Sequence, residues 1–383
     1  MINTNYMKKC KETEILQNQL EHSYFLGREL NTITVNNGVF LSWKRPCSST
    51  PLHGIGGVVD SSDNYVYESA SIAYGDTKDR FIGTYEYDKN DIPFINETVV
   101  YLGLFHKQWG HFLVDFVPRL WFFLDNSFPY DIVYTTDQDE ISGNYLELLN
   151  LLGIDNSRLH CIKNPTRFST IIIPELSYIS GGYYSDEFLM IFDRIKQNAL
   201  STIAYLPVYD KLYFSRKHLK NKKEFGESGI ENAFAQNDYK LLYMEELSLK
   251  EQIYYVANAK SIAAISGTLC HNILFASKNT ELIIINKTKK INGHQVIINQ
   301  AMGNPVIYVD VYLEPYKKFP ISYGMGPFWI SNRSHELGCL FEDRKLNYHK
   351  DNIIMTMVDF LKYSYLCFFI KTKKTLKNIL NRS

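Results

Sequence analysis

The chain has 383 residues, enough for two domains of ordinary size, and the composition of a folded globular protein with no low-complexity segment. Its 41 basic residues balance 41 acidic ones, so no global field singles out nucleic acid as a partner. The 28 tyrosines and 23 phenylalanines suit carbohydrate surfaces and ordinary cores alike, and so decide neither.

Cys10, Cys47, Cys161, Cys270, Cys339 and Cys367 stand apart, with no CxxC pair and no metal-ligand spacing. Several sit inside apolar runs as small hydrophobes, which points to a reducing compartment. The N-terminal residues carry no apolar signal core. No stretch reads as long and apolar enough to span a bilayer. The sequence therefore predicts a cytoplasmic protein.

Residues 1 to about 100 read as short strands broken by Asn, Gly, Asp and Ser turn signals. "HGIGG" at 53–57 has the look of a glycine-rich phosphate loop. It lacks the strand-then-helix context such a loop needs and reads as a turn. From residue 97 strands and helices alternate. "ETVVYLGL", "YDIVYTT", "LHCI" and "STIIIPEL" read as strands, "GNYLELLNLLGI" and "EFLMIFDRIKQNAL" as helices. That alternation means βαβ units and a mostly parallel sheet.

A linker near 204–210 separates a second alternating series. "KLYFSR", "YKLLYM", "SIAAI", "ELIIIN" and "PVIYVDV" read as strands. "SLKEQIYYVANA" reads as a helix opened by a Ser248–Glu251 capping box, and "LCHNILFA" as a helix after the Gly267 turn. The expected fold class is α/β, with domains at 1–203 and 204–330, followed by a return segment and basic amphipathic tail at 331–383. Ligands of open parallel sheets bind beyond the carboxyl ends of the strands. Two such domains facing each other would place the site in the cleft between them. After Ile370 the tail carries five basic and no acidic residues, which suits peripheral contact with an anionic membrane and equally a solvated helix end.

Four constellations carry possible chemistry. In "HKQWGHFLVDFVPRLWFFLD" (106–125), His111, Asp115 and Arg119 fall at i, i+4 and i+8, one face of a regular helix. A buried carboxylate needs a partner, so one reading is an internal Asp115–Arg119 pair with His111 beside it. The other is a stripe facing a cleft, with His111 or Asp115 as general base on a hydroxyl. Pro118 limits the regularity of the helix. The second constellation is the basic loop Ser215, Arg216, Lys217, His218, Lys220, Lys222 and Lys223 at a strand end, suited to a diphosphate. The third is "SGTLCHN" (266–272), a strand-to-helix turn that offers backbone N–H groups to an anion, with His271 and Asn272 in the first helical turn. The fourth is Asp137 and Asp139 in "TTDQDE", a carboxylate pair with the spacing of a diphosphate-bound divalent metal.

"WGHFLVDFVPRLW" (109–121), "LYFSRK" (212–217), "EELSLKEQIYYVANA" (245–259) and "GTLCHNILFA" (267–276) together resemble glycosyltransferase family 61, in particular its bacterial polysaccharide-synthesis branch. The resemblance covers roughly residues 55 to 310. It implies a GT-B fold, two Rossmann-like domains facing each other across a cleft, with 1–203 on the acceptor side and 204–330 binding the donor. It also implies inverting, metal-independent transfer of a sugar, expected from a UDP-linked donor, to a hydroxyl of a glycan or lipid-linked glycan in surface polysaccharide synthesis. No cofactor is expected. The family commonly follows its SR motif with arginines and an Asn-Glu pair, where this chain has lysines and then Glu227. Many members carry His-Gly-Ala where Ser266, Gly267 and Thr268 stand, and an acidic residue where Asn286 stands.

On this reading His111 and Asp115 share the base and its positioning. Ser215, Arg216, Lys222, Gly267, Thr268, His271 and Asn272 hold the donor diphosphate. Glu245 or Glu246 contacts the nucleoside, and Trp109 and Arg119 face the acceptor. Two rivals remain: a non-catalytic scaffold of a polysaccharide assembly complex, and a metal-dependent transferase using Asp137 and Asp139.

Overall fold

The computed structural model describes residues 2–47, 51–75, 78–125, 129–219 and 223–380, with side chains to 376. It is an α/β protein whose two larger sheets are a six-stranded, all-parallel sheet and a mixed sheet. The chain divides into two units, residues 23–204 and residues 1–22 with 205–383.

The second unit holds the parallel sheet. Its strand order is Ile2–Tyr6, Val306–Asp310, Glu281–Asn286, Ser261–Ile265, Lys211–Phe214 and Lys240–Leu242. The middle strands are nearly continuous apolar runs because both faces are covered, as parallel sheets require. Ile230, Phe234, Leu337 and Phe341 of flanking helices pack against Ala263, Ile283 and Val309. The Ser248–Glu251 capping box forms as the sequence indicates: the Ser248 hydroxyl accepts from the Glu251 N–H, and the Glu251 carboxylate accepts from the Ser248 N–H at 2.8 Å. From Lys211–Phe214 the chain moves to one side, to Lys240–Leu242. It then crosses back, and the next three strands add on the other side. The direction of winding therefore reverses between Lys211–Phe214 and Ser261–Ile265, which makes that gap the switch point of the sheet.

Ile2–Tyr6 lies outside what the alternation pattern revealed. The first strand of the chain pairs in parallel with Val306–Asp310, and Lys8 N–H donates to Asp310 at 2.8 Å. Residues 2–22 thus belong to the unit of 205–383, because the edge of the parallel sheet leaves a row of backbone groups to be paired.

The unit 23–204 is built on the mixed sheet. Leu159–Cys161, Asp131–Thr136, Phe94–Phe105 and Thr166–Pro174 are parallel neighbours in that order. Thr32–Asn36 and Val39–Lys44 pair antiparallel along Thr166–Pro174, and Ile55–Val59 and Tyr65–Val66 extend the sheet. The winding reverses here between Phe94–Phe105 and Thr166–Pro174, so a second switch point lies at the end of Phe94–Phe105. "HGIGG" does not form the expected turn. Ile55–Val59 is a strand, and Gly54 before it and Gly56 and Gly57 within it lie where larger residues would strike Trp43, Phe81 and Tyr65.

The last helix, Ile353–Leu380, corrects another expectation. Its segment Ile353–Leu376 is long and apolar enough to cross a membrane by length and composition. Counting unbroken apolar runs misses it, because Asp359 and Lys362 interrupt residues 353–370 without making them polar.

Candidate functional site

Both switch points carry clusters of charged and titratable side chains. In the 23–204 unit the chain leaves Phe94–Phe105 through His106, Lys107 and Gln108. The Gln108 side chain then caps the next helix by accepting the His111 N–H at 2.8 Å. That helix is irregular: one α turn at Trp109–His111, a π turn at Phe112–Phe116, and a 3-10 stretch at Val117–Phe123. Pro118 lacks the N–H an α-helix would need, and the widened turn changes the angular step along the helix. His111 and Asp115 still meet, with His111 Nδ1 2.6 Å from Asp115 Oδ2.

Arg119 leaves the face, so the expected stripe of three and the Asp115–Arg119 pair are not formed. Arg119 is buried, 2% exposed, and donates to the carbonyls of Pro174, Glu68 and Ala70. It braces the inside of the unit. The cation beside Asp115 is Arg80, whose Nε lies 3.6 Å from Asp115 Oδ2. Trp109, half-buried, packs against Phe112 and Tyr145.

Two further histidines complete this cluster, and the sequence reading did not single them out. The His53 ring stacks on His106 at 4.1 Å between centroids and meets His111 edge-on at 4.6 Å. His106 Nδ1 lies 2.8 Å from Asp137. His53 is held by its backbone: the Trp43 indole N–H donates to its carbonyl at 2.7 Å, and its N–H donates to the Arg80 carbonyl at 2.9 Å. Gly54, at φ +157°, follows because a Cβ there would run into the Trp43 indole. Burial, with His111 and His106 adding to it, pushes the His53 imidazole down to about 3, so it is neutral near neutral pH. A histidine before a glycine cluster and another at a strand end were the available signals.

Asp137 and Asp139 diverge into separate pairs, Asp137 with His106 and Asp139 with Lys107 at 2.6 Å. Among the described residues, His53, His111 and Asp115 are grouped so that they could offer ligand atoms to a metal, their donors lying within 4.8 Å of one another. A cation there would compete with Arg80 for the same carboxylate oxygen.

In the unit of residues 1–22 and 205–383, Ser215 and Arg216 follow Lys211–Phe214, and Ser266 and Gly267 follow Ser261–Ile265. These are the two loops of the switch point. Ser215 is buried, and its hydroxyl donates to Glu231. The Arg216 N–H donates to Glu227 at 2.9 Å. Both glutamates lie on the buried side of Glu227–Ala235 and fix the loop. The Arg216 guanidinium makes no hydrogen bond among the described residues. Its Nε lies 3.2 Å from Glu224 Oε1, and Lys287 Nζ lies 2.8 Å from the same oxygen.

A Cβ built on Gly267 would sit 3.9 Å from both Arg216 Nη1 and Lys287 Nζ. Two cations therefore converge on a bare turn with one carboxylate between them. Burial raises the Glu224 carboxyl, but Lys287 and Arg216 together overcome it and hold the group at about 2. Burial pulls the Lys287 ammonium below its ordinary value against the pull of Glu224. Glu224 and Lys287 were not legible as site residues, since nothing local marks a glutamate in a lysine-rich loop or a lysine after a strand.

Thr268 and Gly267 are half-buried at the turn. His271 and Asn272 are buried. His271 Nδ1 meets Gln295 Oε1 at 2.7 Å, and the chain continues through Asn299 to Tyr308. Because Gln295 presents its oxygen, the His271 proton sits on Nδ1. Glu245 and Glu246 are exposed. Glu246 pairs with His218, whose ring stacks on Tyr243 at 3.8 Å. Lys222, expected at the donor, lies outside the described residues.

An α/β protein with paired cations at the switch point of a parallel sheet and a His–Asp dyad at that of a second sheet has the parts of a group-transfer enzyme. Residues 109–283 match the family model described as Glycosyltransferase 61, so the chain carries a family 61 domain and is by that domain a glycosyltransferase. His53, His106 and Lys287 fall outside the matched residues. No curated protein matches the chain.

Proposed function

We propose that the chain is an inverting transferase that moves a sugar from a nucleoside-diphosphate donor, UDP-linked, to a hydroxyl of a glycan acceptor in surface polysaccharide synthesis. The observation that carries this reading is the convergence of Arg216 and Lys287 on Gly267 at a switch point, where open parallel sheets bind ligands. The donor belongs to the 205–383 unit and acceptor activation to the 23–204 unit, the division of labour of a GT-B enzyme.

Asp115 accepts the Nδ1–H of His111, which leaves Nε2 as the proton acceptor. His111 is also the more open of the two, with 24% of its side chain exposed against 12% for Asp115. His111 is therefore the base and Asp115 its positioning residue. The acceptor oxygen forms a bond to the anomeric carbon as its proton passes to His111 Nε2. The bond from that carbon to the diphosphate breaks, and the electron pair leaves with the diphosphate. Arg216 and Lys287 neutralise the charge that develops there, in the role a divalent metal has in other transferases. The stacked His218–Tyr243 pair beside Glu246 is a flat platform at the same strand ends, suited to a base.

The test is calorimetric titration of the purified protein with UDP, GDP and CMP, with and without chelator. The expected result is chelator-resistant binding of UDP, lost in Arg216→Ala. Binding that requires metal would shift the reading to a metal-dependent transferase. A folded protein that binds no nucleotide would favour the scaffold.

A further inference from the structure

The helix Ile353–Leu380 packs on its own unit by one narrow face. Phe360 and Tyr363 stack against Tyr316 and Trp329, and Tyr363 and Cys367 are buried. The Tyr316 hydroxyl meets Ser364 at 3.1 Å. A second face is apolar and uncovered. Ile354, Val358, Leu361, Tyr365, Phe368 and Leu376 follow one another in steps of three, four or eight, so they form one stripe, and each is between 40% and 71% exposed. A stripe of this size is not left in water by a core helix. Toward its C-terminal end, between Phe368 and Leu376, Lys371, Lys373 and Lys374 are exposed, and no acidic residue follows Asp359 in the sequence.

We propose that this stripe is a docking surface for an anionic lipid bilayer, with the helix lying in the plane of the interface. The apolar stripe enters the acyl boundary, and the lysines at its end meet anionic headgroups. The charge argument selects lipid over an uncharged apolar partner, because a basic end without acidic residues complements a negatively charged surface. In-plane docking follows from the contacts at 360–367, which hold the middle of the helix lengthwise against a folded domain. A crossing helix would have to give them up. The inference goes beyond the transferase reading and does not depend on it.

The test is flotation of the full-length protein with vesicles of phosphatidylcholine alone and of phosphatidylcholine with phosphatidylglycerol. Wild type is expected to float with the anionic vesicles only, in a salt-sensitive manner. Lys373→Glu with Lys374→Glu should lower partitioning roughly thirty-fold or more, the loss expected for two surface lysines. Leu361→Glu with Phe368→Glu should reduce it to background. Both pairs are exposed, so each variant should melt with the wild type. Four results would overturn the proposal. One is folded wild type that floats with no vesicle. Another is equal flotation of the Leu361→Glu/Phe368→Glu variant. A third is resistance to alkaline carbonate extraction, which would mean a spanning helix. The last is a dimer, without vesicle binding, that this same variant converts to monomer, which would assign the stripe to a second copy.

Discussion

Lys287 Nζ lies 2.8 Å from Glu224 Oε1, and both side chains are almost wholly out of solvent. Such a pair contributes little net stability when intact and costs much when one member is removed, because the other is left charged in a poor solvent. Lys287→Met should therefore destabilise the protein by about 3 kcal/mol, while Lys287→Met with Glu224→Leu should cost clearly less than the sum of the single changes. Urea unfolding of the four proteins of that cycle measures it, and additive losses would contradict the pairing.

Acid should begin to act on the two sites at different pH, on His53 below about 6.5 and on Glu224 only below 4.5. The His53 pKa is lower folded, about 3, than its ordinary 6.5, so the unfolded chain binds the proton first. Stability attached to His53 is present above pH 6.5 and falls as pH drops toward 3, with a slope of at most about 1.4 kcal/mol per pH unit. The Glu224 carboxyl, held at about 2 against an ordinary 4.5, contributes stability above pH 4.5 that is lost as pH falls toward 2. His53→Gln should flatten the loss of melting temperature between pH 6.5 and 4.5. Glu224→Gln should alter the profile only below pH 4.5.

His111→Ala should lower kcat by roughly a hundred- to ten-thousand-fold, the usual worth of a positioned base, with nucleotide affinity changed only a few-fold. Asp115→Asn keeps the shape but offers no full charge to the Nδ1–H. It should depress kcat and shift the limb of the pH–rate profile that reports the base. A variant pair that retained wild-type turnover would remove both residues from the mechanism.

Gly267→Ala places a methyl where Arg216 and Lys287 converge, at a φ of +146° that disfavours any side chain. UDP affinity should fall at least tenfold by calorimetry, against a stability cost of about 1–3 kcal/mol from the backbone. Near-normal affinity would place the diphosphate elsewhere.

Arg119→Met removes the donor shared by three backbone carbonyls, those of Pro174 and Ala70 in buried contacts and that of Glu68 nearer the surface. It should cost about 2–4 kcal/mol in denaturant unfolding and leave UDP binding by the folded fraction unchanged. A selective rise in acceptor KM at normal stability would restore Arg119 to the acceptor side.

The local code of this chain settled many of the elements, though not Ile2–Tyr6 or Ile55–Val59. Alternating short apolar runs and helical periods are properties of neighbouring residues, so Asp131–Thr136, Ser261–Ile265 and Leu249–Asn258 are legible without any fold. The contact of His111 with Asp115 was equally legible, because residues four apart on a helix meet whatever lies around them. Arg119 was not. The π turn and Pro118 alter the helix, and three carbonyls from distant segments draw the guanidinium inward.

Long-range pairing decided the rest. His53 reaches His111 because Trp43 and Arg80 hold its backbone. Lys287 reaches Gly267 because Glu281–Asn286 pairs in register beside Ser261–Ile265. Ile2–Tyr6 joins the far end of the chain because an open sheet edge needs a partner. A sequence window contains none of these partners, and only the folded sheet brings the charges close enough to act on one another.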